Sequence, residues 1–198
     1  MRKANWRILT GPHILKRNAW KRPAWADGSS APYCLDNGAW TSFQSGLPFD
    51  AESFLRTTDM LAEDADFIIV PDIVEGGLQS LHFSMSWLSR LRHYGTLLLV
   101  AVQDGMTPED VAPLLGADVG IFLGGSTEWK LTTMRQWGKL ARDIGAYFHV
   151  GRVNSMKRIH QCQLCGAHSF DGTSVTKFPQ TITLLDNARK QLPLLEIL

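Results

Sequence analysis

No stretch of this sequence stays apolar for long. Its most hydrophobic runs, Phe67–Val70 and Leu97–Val102, are strand-length, well short of the roughly 18 to 20 residues that a membrane span needs. The basic start, Arg2 and Lys3, leads into neither the apolar stretch nor the small-residue cleavage site of a secretory signal. Cysteine is scarce: three thiols cannot all pair within one chain, which excludes a disulfide scaffold and makes a reducing cytoplasm the expected setting. Internal repeats, low-complexity tracts and linkers are missing as well, so a single domain over 1–198 is expected. With 44% hydrophobic and 20% charged residues the composition is that of a globular chain and excludes disorder.

Acidic residues are missing from the first 26 positions. Before Asp27 the chain carries Arg2, Lys3, Arg7, Lys16, Arg17, Lys21 and Arg22, so the overall charge of +1 hides a basic, tryptophan-containing segment at 1–26 followed by an acidic remainder. Interleaved with Trp6, Trp20 and Trp25, these cations suit a polyanion, since Lys and Arg meet phosphates and indoles stack on bases. The plainer alternative is a solvated basic arm whose tryptophans fill the core.

What is present is a regular alternation of short apolar runs with longer amphipathic ones. Strands are expected at Trp6–Thr10, Tyr33–Asp36, Phe67–Pro71, Leu97–Val102, Val119–Leu123, Tyr147–Val150 and His168–Asp171. Helices are expected at Ala51–Glu63, Gly77–Arg92, Pro108–Leu115, Thr127–Asp143, Ser155–Cys165 and Thr181–Gln191, with none between Gly11 and Pro32. Thr107-Pro108-Glu109-Asp110 carries a helix start, and Gly95, Gly116, Gly145 and Gly166 each mark a stop. Runs such as Phe67-Ile68-Ile69-Val70 lack polar alternation, as in parallel strands covered on both faces. The pattern is α/β, and an open doubly wound sheet and a closed barrel both satisfy it. A barrel normally takes about 250 residues, so one built here would be trimmed.

In parallel α/β folds the carboxyl ends of the strands collect the chemistry. Those ends here read Asp36-Asn37-Gly38, Pro71-Asp72, Gln103-Asp104-Gly105, Gly124-Gly125-Ser126, Gly151-Arg152 and Asp171-Gly172. Each alone is an ordinary turn or cap sequence; six on one rim point to a site. Asp36 and Asp171 form a carboxylate pair of the kind that chemistry at an anomeric carbon needs, one to attack and one to manage the leaving group's proton. Asp72 and Gln103 offer the acceptor and mixed donor/acceptor suited to a purine edge. The helix starting near Ser126 can hold an anion at its N-terminus, and Arg152 sits in a strand-end loop where it can meet a phosphate or carboxylate. His149 reads as a hydrogen-bonded strand histidine rather than a catalytic one, and Trp129, Met134, Trp137, Leu140 and Ile144 as core. The cluster His160, Cys162, Cys165 and His168 has metal-binding residue types, but its cysteines lie on a predicted helix that would have to unwind; neither metal nor cofactor is expected.

From Tyr33 to Thr173 these segments resemble, in order, those of the tRNA-guanine transglycosylase superfamily. They are most similar to the compact phage and bacterial branch that places 7-deazaguanine bases in DNA (deoxypurine-in-DNA protein A type). Leu35-Asp36-Asn37-Gly38-Ala39-Trp40 resembles the segment with the general acid/base, Pro71-Asp72 the base-binding aspartate, and Val102-Gln103-Asp104-Gly105 the base-reading glutamine. Leu123-Gly124-Gly125 resembles the loop whose backbone meets the heterocycle, Val150-Gly151-Arg152 a glycine-arginine turn, and Ser169-Phe170-Asp171 the nucleophile segment. The resemblance implies a compact TIM-barrel-like parallel barrel of about seven to eight strands with reduced helices. It implies an enzyme that exchanges guanine for a 7-deazaguanine (preQ0- or preQ1-like) through a glycosyl-aspartate, with Asp171 as nucleophile and Asp36 as acid/base. Asp72, Gln103, Gly124, Gly125, Gly151 and Arg152 would bind the substrate. The tRNA enzymes carry a three-cysteine, one-histidine zinc site after the nucleophile. Here no Cys or His follows Asp171, so the expectation is DNA, in a bacterial or phage-infected cell. Alternatives are a hydrolase on the same scaffold, exchange on tRNA, or a non-catalytic nucleic-acid-binding relative.

Overall fold

A computed structural model describes residues 6–172 and 181–190. The chain clusters into two compact units, Met1–Ala101 and Val102–Leu198.

In the first unit β1 (Ile8–Thr10), α1 (Pro12–Arg17), β2 (Tyr33–Leu35), α2 (Ala39–Gln44), α3 (Ala51–Leu61), β3 (Ile68–Ile69) and α4 (Gly77–Leu91) lead to β4 (Leu98–Val102), at whose end the boundary falls. Each strand pairs in parallel with the next in sequence: Leu9 lies opposite Cys34, Leu35 opposite Ile68, and Ile69 opposite Leu99. Leu35, Ile68, Leu98 and Leu99 are buried, as the continuous apolar runs require. Outside them, Phe49, Phe54, Phe83 and Trp87 pack edge-to-face, with Phe54 and Trp87 centroids 5.7 Å apart, so α3 and α4 share an aromatic seam. Asp50 starts α3 by accepting from the Ser53 N–H at 3.0 Å.

The second unit continues with α5 (Pro108–Val111), β5 (Val119–Leu123), α6 (Thr127–Ile144), β6 (Phe148–Val150), α7 (Met156–Leu164), β7 (Ser169–Phe170) and α8 (Ile182–Lys190). Its strands are again parallel and consecutive, with Phe122 opposite His149 and His149 opposite Ser169. Asp110 closes the start of α5 by accepting from the Thr107 N–H at 2.8 Å. Met134 and Trp137 of α6 are core, whereas Ile144 is exposed.

Within each unit the order of strands in the sheet is their order in the chain. That is the winding of a (β/α) barrel; a doubly wound sheet reverses at a switch point. The fold is α/β and TIM-barrel-like, with reduced helices: α1 has six residues and α5 four. Two helices were not expected from the sequence. α1 forms because Pro12 at its first position is preset for helix and Leu15, 1% exposed, anchors it; six residues are too few for a periodicity to read. α2 follows the Asp36-Asn37-Gly38 turn directly. Among the described residues no helix is long and apolar enough to cross a membrane.

Candidate active site

Asp36, Asp72, Gln103, Gly124, Gly125, Gly151, Arg152 and Asp171 all lie at or just beyond the carboxyl ends of β2 to β7. They divide between the two units, Asp36 and Asp72 in the first and the rest in the second.

In the first unit, Asp36 follows β2 and its N–H donates to Thr10 C=O at 2.6 Å. Its carboxylate accepts from the Gly38 N–H at 3.0 Å, closing the turn into α2. The next residue, Asn37, is buried and fully engaged. Its amide donates to Val70 C=O at 2.9 Å and to the Asp72 carboxylate at 2.8 Å, and its own oxygen accepts from the Ala39 N–H at 2.8 Å. Asn37 therefore ties the end of β2 to the end of β3 and aims Asp72. The loop beyond Asp72 is held to α4, where the Ile73 N–H donates to Ser80 Oγ and Ser84 Oγ donates to Pro71 C=O. Burial pushes Asp72 up to about 6, and the negative charge of Asp36 adds to it, while the Asn37 hydrogen bond opposes. His13, at the start of α1, lines the same turn: a Cβ on Gly38 would stand 3.4 Å from its ring.

In the second unit, Asp171 follows β7. Oδ1 of Asp171 accepts from the Arg152 N–H at 3.0 Å, and Oδ2 lies 3.1 Å from His149 Nε2. Nδ1 of His149 meets Ser169 Oγ at 2.7 Å, and the Tyr147 hydroxyl donates to that same Oγ at 2.9 Å. The Phe122 ring stacks on the imidazole, 5.1 Å between centroids at 16°. Burial acts to raise the Asp171 carboxyl, but hydrogen bonding and charge from His149, the Arg152 N–H and the charge of Lys130 outweigh it and bring it below its ordinary value. Lys130 of α6, 4% exposed, donates its ammonium to Gly151 C=O. Burial pushes that ammonium down to about 8, helped by Arg152 and Arg158 and opposed by Asp171.

The Gly151-Arg152 turn is thus clamped on three sides. Arg152 adopts φ 59°, which turns its N–H onto Asp171, and its guanidinium donates to Gly125 C=O. A Cβ on Gly151 would stand 2.7 Å from the Phe122 ring. Gly125 combines φ +70° with a position where a Cβ would stand 2.6 Å from the Asp104 carboxylate. Gln103 is buried at the end of β4. The N-terminus of α6, expected to hold an anion, already holds one of the chain's own: Ser126 donates its N–H and its hydroxyl to the Asp104 carboxylate, both at 2.6 Å. Burial acts to raise Asp104, and these bonds override it to leave it lowered.

Of the basic N-terminal residues, Arg2 and Lys3 lie outside the described residues. Arg7, Lys16 and Arg22 pair with Asp66, Asp50 and Asp64 respectively, all exposed pairs, and Arg17 and Lys21 stand exposed. Trp20 packs beneath the guanidinium of Arg56 at 5.2 Å. Cys162 is buried in α7 with its thiol pushed up to about 12 by burial, and His168 Nδ1 accepts from the Phe148 N–H. Among the described residues no three His, Cys, Asp or Glu side chains stand together as a metal ion would need.

The sequence does not single out Asn37 or Lys130; His149 is the hydrogen-bonded strand histidine expected, and its partners are Ser169 and Asp171. A signal for His149 exists in the strand period: Tyr147, His149 and Gly151 alternate with buried Phe148 and Val150, and Ser169 and Asp171 flank Phe170. Two polar residues on the same face of adjacent strands meet when the register matches, as it does here. No known protein family matches the sequence, and no curated protein matches it.

Proposed function

We propose that the chain is a base-exchange transglycosylase that replaces guanine in DNA with a 7-deazaguanine through a covalent glycosyl-aspartate. The observation that carries the reading is Asp171: a mostly buried strand-end carboxylate kept ionised by His149 and the Arg152 N–H, which is the state a carboxylate nucleophile must hold. In the first half-reaction an Asp171 oxygen bonds to C1′ while the C1′–N9 bond breaks, its electron pair leaving on guanine and Asp36 supplying the proton. In the second, Asp36 takes the N9 proton of the incoming base, N9 bonds to C1′, and the electron pair of the C1′–O bond returns to Asp171. Asp36 and Asp171 are each restored.

Asp72 and Gln103 are assigned to the base, with the backbone of Gly124, Gly125 and Gly151 close to it and Arg152 at a phosphate or carboxylate. An Asp72 that titrates near 6 offers a donor or an acceptor to a purine edge as pH varies. The target nucleotide must leave the stack, because its C1′ cannot be attacked inside a duplex. DNA incubated with the protein and a 7-deazaguanine base is expected to yield the modified nucleoside on digestion and mass spectrometry, and Asp171→Ala is expected to yield none. Release of free guanine without incorporation points instead to a hydrolase. Incorporation into tRNA but not DNA reassigns the substrate.

A further inference from the structure

In the proposed mechanism the polar groups behind Asp171 keep it ionised, and their geometry also fixes its orientation. A carboxylate oxygen 3.1 Å from an imidazole nitrogen requires a proton between them, since two facing lone pairs repel. His149 Nε2 therefore carries hydrogen. On the other side of the ring, Ser169 Oγ already accepts the Tyr147 hydroxyl proton at 2.9 Å, which leaves the serine's own hydrogen free to point at His149 Nδ1, 2.7 Å away. The run Tyr147 to Ser169 to His149 to Asp171 thus has one consistent direction of donation, ending on Asp171. The ring itself cannot turn. It is 3% exposed, is stacked by Phe122 of β5 and faces Ser169 of β7 across the register.

We infer that His149 is a positioning residue for Asp171, with its tautomer set by the Tyr147–Ser169 hydroxyl pair, and that it serves both half-reactions by holding the carboxylate in one plane and stabilising its charge. This rests on the reading of Asp171 as nucleophile. Together with the Arg152 N–H, His149 gives each carboxylate oxygen one donor. These donors orient the oxygens toward C1′ in the first step and receive the returning negative charge in the second. His149 keeps its own protons throughout. Among the described residues the Lys130 ammonium from α6 also acts on Asp171, with Arg152 and Arg158 acting in turn on Lys130, and the Arg152 guanidinium is turned onto Gly125 C=O.

The test uses the full chain with His149→Ala, His149→Gln, which retains an amide donor, and Ser169→Ala. Two readouts need no catalysis. Nitrogen NMR of the neutral imidazole is expected to show the proton on Nε2 rather than Nδ1, and Ser169→Ala is expected to mix the tautomers. Carboxyl carbon NMR is expected to show Asp171 titrating at higher pH in His149→Ala, with His149→Gln between that variant and the parent. In exchange assays His149→Ala is expected to lower kcat on the order of 10²-fold with KM for DNA nearly unchanged. The acid limb of its pH profile is expected to move upward, and His149→Gln to recover most of the rate. A bare Nε2 in the parent protein, or an Asp171 titration that neither substitution moves, overturns the inference. If His149→Ala does not fold, the Gln and Ser169 variants decide it in the same way. Where the NMR results are as stated and no base is exchanged, the positioning of Asp171 stands and the transglycosylase reading falls.

Discussion

Asp72 shows how a single residue can be placed against its own stability. A carboxyl pushed up to about 6 by burial and by its neighbour Asp36 binds its proton more tightly folded than unfolded, so folding stability falls as pH rises from about 4 through 6. At neutral pH the ionised group is a liability, partly relieved by the Asn37 amide 2.8 Å away. Asp72→Asn keeps an oxygen for that amide and removes the charge. It is expected to stabilise the protein by about 1–2 kcal/mol at pH 7 and by little at pH 4.5, measured by denaturant unfolding at the two pH values. Asp171 has the opposite sign: its lowered carboxyl contributes stability above the ordinary carboxylate range and loses it as pH falls below. The position of both aspartates at strand ends is legible in the sequence, because an apolar run followed by a polar turn is a local pattern. Their opposite titration is not, since it depends on Asn37, Asp36, His149 and Arg152 arriving from other strands and loops.

Among the elements, the strand-end loops of the second unit are set by backbone geometry as much as by side chains. Gly125 has φ +70°, its carbonyl receives the Arg152 guanidinium, and a Cβ there would press on Asp104 and Trp129. Gly125→Ala is expected to cost roughly 1–3 kcal/mol and to loosen the Ser126–Asp104 pair at the start of α6. Denaturant unfolding reads the first effect, and proteolysis of the 124–126 loop reads the second. Helix starts such as Thr107 to Asp110 and Ser126 are legible because the capping group and the group it caps are three residues apart. α1 is not: its six residues are held by packing of Leu15 rather than by any repeating apolar face.

For the whole molecule, the basic N-terminal segment looks different once folded. Arg7, Lys16 and Arg22 meet Asp66, Asp50 and Asp64, acids that lie well beyond the segment in sequence. Exposed pairs of this kind contribute about 0–1 kcal/mol, so a phosphate can displace the aspartate at little cost. If DNA is the substrate, affinity is expected to fall linearly in log–log terms with salt. Arg17→Ala and Lys21→Ala are each expected to reduce that slope by about 1 if they meet phosphates, as read by fluorescence anisotropy titrations across salt concentrations; an unchanged slope assigns the segment to the protein's own acidic surface.

The alternation of strand and helix, the parallel α/β class and the placing of acids, amides and glycines after six strands are all readable from the amino-acid sequence, because each follows from patterns within a few residues. Which of those residues meet is set by how the chain folds. The contact of His149 with Asp171, the burial of Lys130 against Gly151, and the hold of Asn37 on Asp72 span about 20 to 35 positions and rest on strand register and helix packing, quantities no local window contains.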